Sequence, residues 1–289
     1  MLPRMAGKPH IAIVGAGNLG SALAISLRRS GYVIEAIFAR SSRASLRNAR
    51  RLAQQVGALA LTDPPKTLRA TVIWFCVPDA EIARAARTLA DKINWKGRVA
   101  LHSSGALSSD ELATLRRRGA SVASAHPLMT FVRGSRPSLA GVPFALEGNV
   151  RAVRMARQII KDIGGLAYPI RKKDKAAYHA WGTFASPLFT ALLATTEQVA
   201  ALSGVKRNAA KRRMIPILLQ TLSNYGAFEA KDAFSGPIIR GDVDTVKRHL
   251  QVLRTAPAAR DVYSALARGA LLYLPAKNKA ALKRLLDAR

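Results

Sequence analysis

Ile11-Ala12-Ile13-Val14-Gly15-Ala16-Gly17-Asn18-Leu19-Gly20, running into Ser21–Arg29 and closed by Gly31, is the stretch that decides how the first half of this chain folds. Four apolar residues make a strand, glycines at the GxGxxG spacing turn it, and a helical stretch follows at once. Gly15 permits the tight turn and Gly17 lets the backbone approach a pyrophosphate. Gly20 allows the helix to pack closely on the strand, leaving its N-terminal amides aimed at phosphates. Asn18 and Leu19 complete the loop. A strand before, a helix after and a βαβ unit around the motif make this a dinucleotide-binding Rossmann unit in preference to a bare glycine turn.

Outward from that loop, short apolar runs alternate with helical stretches rich in Arg and Ala as far as Ile170. The runs are Ile11–Val14, Val33–Phe38, Val72–Val77, Val99–Leu101, Ser121–Ala125, Pro143–Leu146 and Leu166–Ile170. This alternation predicts βα units and a mainly parallel sheet. From Lys172 the apolar spacing is helical throughout: Lys172–Leu202, Lys206–Tyr225, Val243–Leu253, Ala258–Leu274 and Lys277–Asp287. The expected architecture is therefore an α/β Rossmann domain over residues 1–171 and an all-α domain over residues 172–289. Pro187 and Pro216 fall inside two of the helices and are expected to kink them.

Composition narrows the class. Hydrophobic residues are 49% of the 289, so the chain is globular. Its single cysteine, Cys76, sits in an apolar run without a disulfide or metal-cluster partner, which fits a reducing cytoplasm; no metal site is expected. Met1–His10 lacks the apolar core of a signal peptide, and no segment reads as a membrane span. The net charge of +29 invites a nucleic-acid reading, but the basic excess is spread over both halves. Its short runs, such as Arg116-Arg117-Arg118, fit helix ends and solvated faces, so no specific nucleic-acid partner is expected.

The end of the second strand selects the cofactor. NAD enzymes place an acid there for the ribose hydroxyls, whereas this chain reads Phe38-Ala39-Arg40-Ser41-Ser42-Arg43. Arg40, Ser41 and Arg43 offer donors for a 2′-phosphate, so the expected cofactor is NADP(H). Glu35 lies too early in the strand to replace the missing acid. At the next strand end, Val77 and Pro78 are placed to line the nicotinamide side, while Asp79 is either a helix cap or a site residue.

The substrate side shows in two further strand ends, His102-Ser103-Ser104-Gly105 and Ala125-His126-Pro127-Leu128, at the ligand-bearing edge of such sheets. In the first helix of the second half, Lys175, His179, Gly182 or Thr183, and Ser186 recur at helical spacing. Ala176, Ala177, Ala180, Phe184 and Leu188 fill the rest, which predicts a largely buried helix whose polar stripe faces a cleft. Lys175 there donates a proton to, or polarises, a carbonyl or imine, or else it belongs to the charged helix start and faces solvent. Asp242 reads as an N-cap.

These residues together resemble the 6-phosphogluconate-dehydrogenase-like and ketopantoate-reductase-like superfamily, and within it a branch with a Rossmann half followed by the domain of unknown function 2520. The residues carrying the resemblance are Gly15 to Gly20, Leu101 to Leu107, Ala125 to Leu128, Lys175 through Tyr178-His179 to Ser186, and Gly236-Pro237 with Arg240-Gly241-Asp242. The resemblance implies a helical C-terminal domain that commonly dimerises. It also implies a catalytic lysine with an asparagine four residues on, positions held here by Lys175 and His179. His126-Pro127 is similar to the His-Pro pair of prephenate dehydrogenases. The expectation is an NADP(H)-dependent oxidoreductase acting on a small molecule, homodimeric, with Lys175, His179, His126 and Ser104 as catalytic candidates. The alternative is a non-catalytic NADP-binding or regulatory protein.

Overall fold

The computed structural model describes residues 7–135 and 137–288. By its internal contacts the chain divides into two compact units, Met1–Thr183 and Phe184–Arg289. The first extends past the expected boundary at residue 171, because the helix after the last strand buries Lys175 and Tyr178 within it.

The first unit is built on eight strands: β1 (Ile11–Val14), β2 (Ile34–Phe38), β3 (Leu59–Leu61), β4 (Val72–Phe75), β5 (Val99–His102), β6 (Ser121–Pro127), β7 (Pro143–Gly148) and β8 (Leu166–Pro169). They lie in the order β3-β2-β1-β4-β5-β6-β7-β8, and every pair is parallel except the antiparallel β6 and β7. The strand order reverses between β1 and β4, which opens a crevice at their carboxyl ends. Six helices surround the sheet: α1 (Asn18–Arg29), α2 (Arg43–Val56), α3 (Asp79–Ala90), α4 (Ala113–Arg117), α5 (Val150–Asp162) and α6 (Lys175–Thr183).

Both sheet faces are covered, so β1 and β4 are apolar at every position. Ile11, Ile13 and Trp74 enter one core with Leu23, Leu27 and Ile159. Their neighbours Ala12, Val14, Ile73 and Phe75 enter the other with Ile82, Leu89 and Leu115. The strand β3 escaped the sequence pattern because three residues at a sheet edge, none of them buried, carry no alternation.

The second unit is helical, with α7 (Phe189–Leu202), α8 (Arg207–Ala227), α9 (Ala230–Ala233), α10 (Pro237–Arg240), α11 (Val243–Val252), α12 (Pro257–Tyr273) and α13 (Lys279–Asp287). Its core is small, formed by Val246, Leu250, Ala267, Leu282 and Leu286. The helix expected over Lys172–Leu202 is continuous, and around Pro187, which has no N–H for the helical ladder, it widens into a π-helical turn at Phe184–Leu188, the distortion expected of that proline. Pro216 is carried within α8, which stays α-helical throughout. Asp242 caps α11 as expected, its carboxylate accepting from the Thr245 amide at 3.0 Å.

Candidate functional site

A cleft of about 730 Å³ lies along the carboxyl ends of β1, β2 and β4. Gly15, Gly17, Arg40, Ser41, Val77 and Pro78 line it, with Ser45, Asn48, Thr62, Asp63, Glu81 and Arg84 among the other residues of its wall. The glycines carry different loads. Gly15 has φ +104° and faces the Cys76 carbonyl, while a Cβ on Gly20 would stand 2.1 Å from the Gly15 carbonyl oxygen. Nothing lies within 4 Å of a Cβ on Gly17, and its φ of −74° suits any residue. The fold therefore needs glycine at 15 and 20, whereas at 17 the requirement comes from whatever approaches the loop. The first turn of α1 has neither a side-chain cap nor an acidic residue, which leaves its amides for an anion. A dinucleotide pyrophosphate fits this cradle.

At the other end of the cleft Arg40 is exposed and has no carboxylate partner among the described residues. It stands beside the N-terminus of α2, whose first turn also lacks acids and is capped by the Ser42 hydroxyl. The two acids of the wall are already neutralised, Asp63 by Lys92 and Glu81 by Arg84. The field at this end favours an anion. Arg43 starts α2 and lies outside the lining residues, as do Asn18 and Leu19. The Asn18 amide instead donates to the Phe131 carbonyl at 3.1 Å, tying the loop to the segment after β6.

Immediately after Val77 and Pro78 comes a second, more buried group of polar residues. Asp79 opens α3, and its carboxylate accepts the Ser104 hydroxyl at 2.7 Å. The Ser104 hydroxyl also accepts from the Leu107 amide at 2.9 Å, so its proton and one of its two lone pairs are taken by the protein. Ser104 thus cannot donate its proton to a substrate without giving up Asp79, and it fixes the turn after β5. His102 braces the same turn, accepting from the Ser104 amide at 3.1 Å and contacting the Ser108 carbonyl at 2.9 Å. Burial holds His102 down at about 4, so it is neutral at pH 7.

Lys175 is only 1% exposed. Its ammonium donates to the Ser104 carbonyl at 2.9 Å and the Ser124 hydroxyl at 2.6 Å, its only acceptors among the described residues. It is therefore neither the solvent-facing lysine of a charged helix start nor part of a stripe on a buried helix. Ala176, Ala177, His179 and Ala180 are all exposed, and the face that α6 packs inward carries Lys175 and Tyr178. Spacing of i to i+3 won over the expected i to i+4 because the residue on the sheet side is the aromatic one. Burial lowers the Lys175 amine to about 8, against the pull of Glu147 and Asp79. Glu147, itself buried, accepts from the Ser109 amide at 2.6 Å and hydroxyl at 2.9 Å.

His126 is the next-to-last residue of β6, with Nδ1 2.8 Å from the Tyr178 hydroxyl. Burial, then the Lys175 charge, lowers it to about 4. A Cβ on Gly105 would come within 2.8 Å of the His179 ring and 2.9 Å of His126 Nε2, so the glycine is what lets both rings close on the turn. Lys175, His126, His179 and the Ser104 turn are thus brought together. Ser124 and Glu147 were not picked out, Asp79 was left open between helix cap and site residue, and Tyr178 entered only through the resemblance. Glu147 left a signal, an acid inside an apolar strand; the others depend on contacts across the sheet.

Residues 5–127 match the Rossmann-like domain, and residues 142–270 match the domain of unknown function DUF2520. No curated protein matches the sequence. Among solved structures, the chain is similar to a protein from Bacteroides fragilis provisionally described as an NADP oxidoreductase. Identity is 22%, over 91% of this chain and 97% of that one, with a TM-score of 0.75. It is also similar to an imine reductase from Pseudomonas sp. (20% identity, 97% and 100% covered, TM-score 0.65). A third is a reductive aminase from Aspergillus terreus, solved with NADPH and ethyl-5-oxohexanoate (16% identity, 97% and 99% covered, TM-score 0.65). At these identities the likeness is one of fold.

Proposed function

We propose that this chain, a Rossmann-like domain joined to a DUF2520 domain, is an NADP(H)-dependent oxidoreductase acting on a small polar carbonyl, hydroxyl or imine compound. One observation carries the reading. Val77 and Pro78 line the dinucleotide cleft, and the very next residue, Asp79, is bonded into the cluster that holds Lys175 and His126. The similar folds of an imine reductase and an NADPH-bound reductive aminase support it.

In this reading the bound nicotinamide supplies or takes the hydride. The glycine loop binds the pyrophosphate, and Arg40, Ser41 and Ser45 take the 2′-phosphate. Lys175 is the acid or polariser. Two of its N–H groups are fixed by Ser104 and Ser124, and the third is left for the oxygen or nitrogen that becomes basic as hydride reaches its carbon. His126 and His179 orient the substrate over Gly105, while Ser104 acts through the turn it holds.

The test is thermal stability with NADPH or NADH, for wild type and Arg40→Ala. NADPH is expected to stabilise more than NADH, and Arg40→Ala to weaken NADPH by about ten- to a hundredfold while sparing NADH, the worth of a charge-assisted hydrogen bond. If neither nucleotide moves the transition, the oxidoreductase reading is lost and a polyanion-binding role, with its steep salt dependence, takes its place.

The same reading makes the protein a cytoplasmic homodimer with no membrane or specific nucleic-acid partner. Among the described residues no single helix is long and apolar enough to cross a membrane. In a single chain α7 and α8 bury only Ala210, leaving Ile217, Leu219, Leu222 and Tyr225 exposed. Apolar area of this kind is what a second copy covers. Light scattering should therefore give twice the 31.1 kDa chain mass, and a monomer would sink the dimer.

A further inference from the structure

We propose that Tyr178 is the positioning residue that fixes the His126 imidazole with its proton on Nε2, so that a neutral ring presents a hydrogen-bond donor at the Gly105 turn. The importance of that donor for catalysis rests on the oxidoreductase reading; the tautomer itself does not.

The Tyr178 ring is buried and meets His126 edge to face, with centroids 5.4 Å apart and planes at 87°. Its hydroxyl is 2.8 Å from His126 Nδ1, the one hydrogen bond this hydroxyl makes among the described residues. A buried phenol proton needs an acceptor, and burial, then the neighbouring Tyr168 hydroxyl, keeps Tyr178 protonated far above its ordinary range. The Tyr168 hydroxyl is close enough to raise the Tyr178 phenol but forms no hydrogen bond of good geometry among the described residues, whereas His126 Nδ1 does, so the proton is assigned to the His126 side. Nδ1 must then be the lone-pair nitrogen and Nε2 the N–H.

The surroundings keep the ring neutral. Burial, then the Lys175 charge, disfavours a second proton, with His179 and the neutral His102 also facing the ring; Asp79 alone favours one, and its carboxylate is engaged by Ser104. Nε2 lies on the ring edge turned to Gly105, beside the His179 ring. A neutral imidazole held this way polarises a carbonyl or imine without competing with Lys175 as the proton source.

The experiment is a long-range ¹H–¹⁵N correlation spectrum at pH 7 of the full chain labelled at its five histidines. His126 is assigned by the signals lost in His126→Gln. Wild type is expected to show His126 as the Nε2–H tautomer. Tyr178→Phe keeps the ring packing but removes the donor, and is expected to shift the tautomer ratio about tenfold toward Nδ1–H, the worth of one hydrogen bond. A purely structural tyrosine would leave that ratio unmoved. An Nδ1–H or doubly protonated His126 in wild type overturns the proposal, as does an unchanged ratio in Tyr178→Phe; if that variant fails to fold, the wild-type spectrum alone decides. Because no nucleotide is added, the expected tautomer in a protein that binds no NADPH would refute the enzyme reading and leave the Tyr178 assignment standing.

Discussion

Gly20→Ala will lower the melting temperature by roughly 6–12 °C, whereas Gly17→Ala will lower it far less, by no more than the small preference of an N-cap for glycine over alanine, and will mainly weaken nucleotide binding. At Gly20 the new methyl meets the Gly15 carbonyl oxygen at 2.1 Å, backbone against backbone, and no side chain can move aside. Relief requires α1 to shift off β1, an overpacking that costs about 3 kcal/mol or more, at about 2–4 °C per kcal/mol for a domain of this size. At Gly17 the methyl enters open space on an ordinary backbone conformation, so the folded protein scarcely feels it. A pyrophosphate laid against the α1 amides does. NADPH at a hundredfold excess over Kd protects by about 2.7 kcal/mol, and a tenfold weaker complex loses about half of that. The pair is informative because the melting curve of each variant without nucleotide is its own control. Full NADPH protection in Gly17→Ala would mean that the phosphates do not lie on this loop.

The second large effect is expected at Lys175. Lys175→Met preserves most of the side-chain volume but removes the ammonium that donates to Ser104 and Ser124. Turnover of NADPH with a carbonyl or imine substrate should fall by about 10²–10⁴-fold, the usual worth of a positioned acid. NADPH protection should persist, because Lys175 is not among the residues lining the dinucleotide cleft. The variant also carries a pH signature independent of any substrate. The Lys175 amine sits at about 8 in the folded protein, below its ordinary 10.5, so between these values the unfolded chain binds more protons than the folded one. Stability then rises with pH across that window, by on the order of 2 kcal/mol, and this rise is missing from Lys175→Met. Denaturant unfolding at pH 7.5 and pH 10 in both proteins measures the difference. Equal slopes would show that the buried amine is not depressed. In wild type, reduction should slow above about pH 8 as the ammonium is lost; an unchanged rate there would remove Lys175 as the acid.

Much of this molecule is written locally. The strand, the three glycines and the helix that follows are neighbours in sequence, and the forces that shape them, steric turn requirements and an apolar strand, act over a few residues. For that reason the nucleotide loop, the missing acid after β2 and the helical second half were all legible. The sequence also singled out Lys175, His126 and His179, which the fold brings to one cluster. What one-dimensional reading missed were facts about partners. Ser104 looked like a free hydroxyl until Asp79, 25 residues away, was seen to hold it. Lys175 looked solvated or cleft-facing until packing placed its ammonium under the β5 turn, 71 residues back in the chain. Tyr178 looked like one aromatic among several until β6 brought His126 to its hydroxyl. Sequence determined which chemical groups exist and which local elements carry them. Only the tertiary structure decided which groups are spent on one another and which remain for a substrate, because a hydrogen bond is settled over about 3 Å of space and not by distance along the chain.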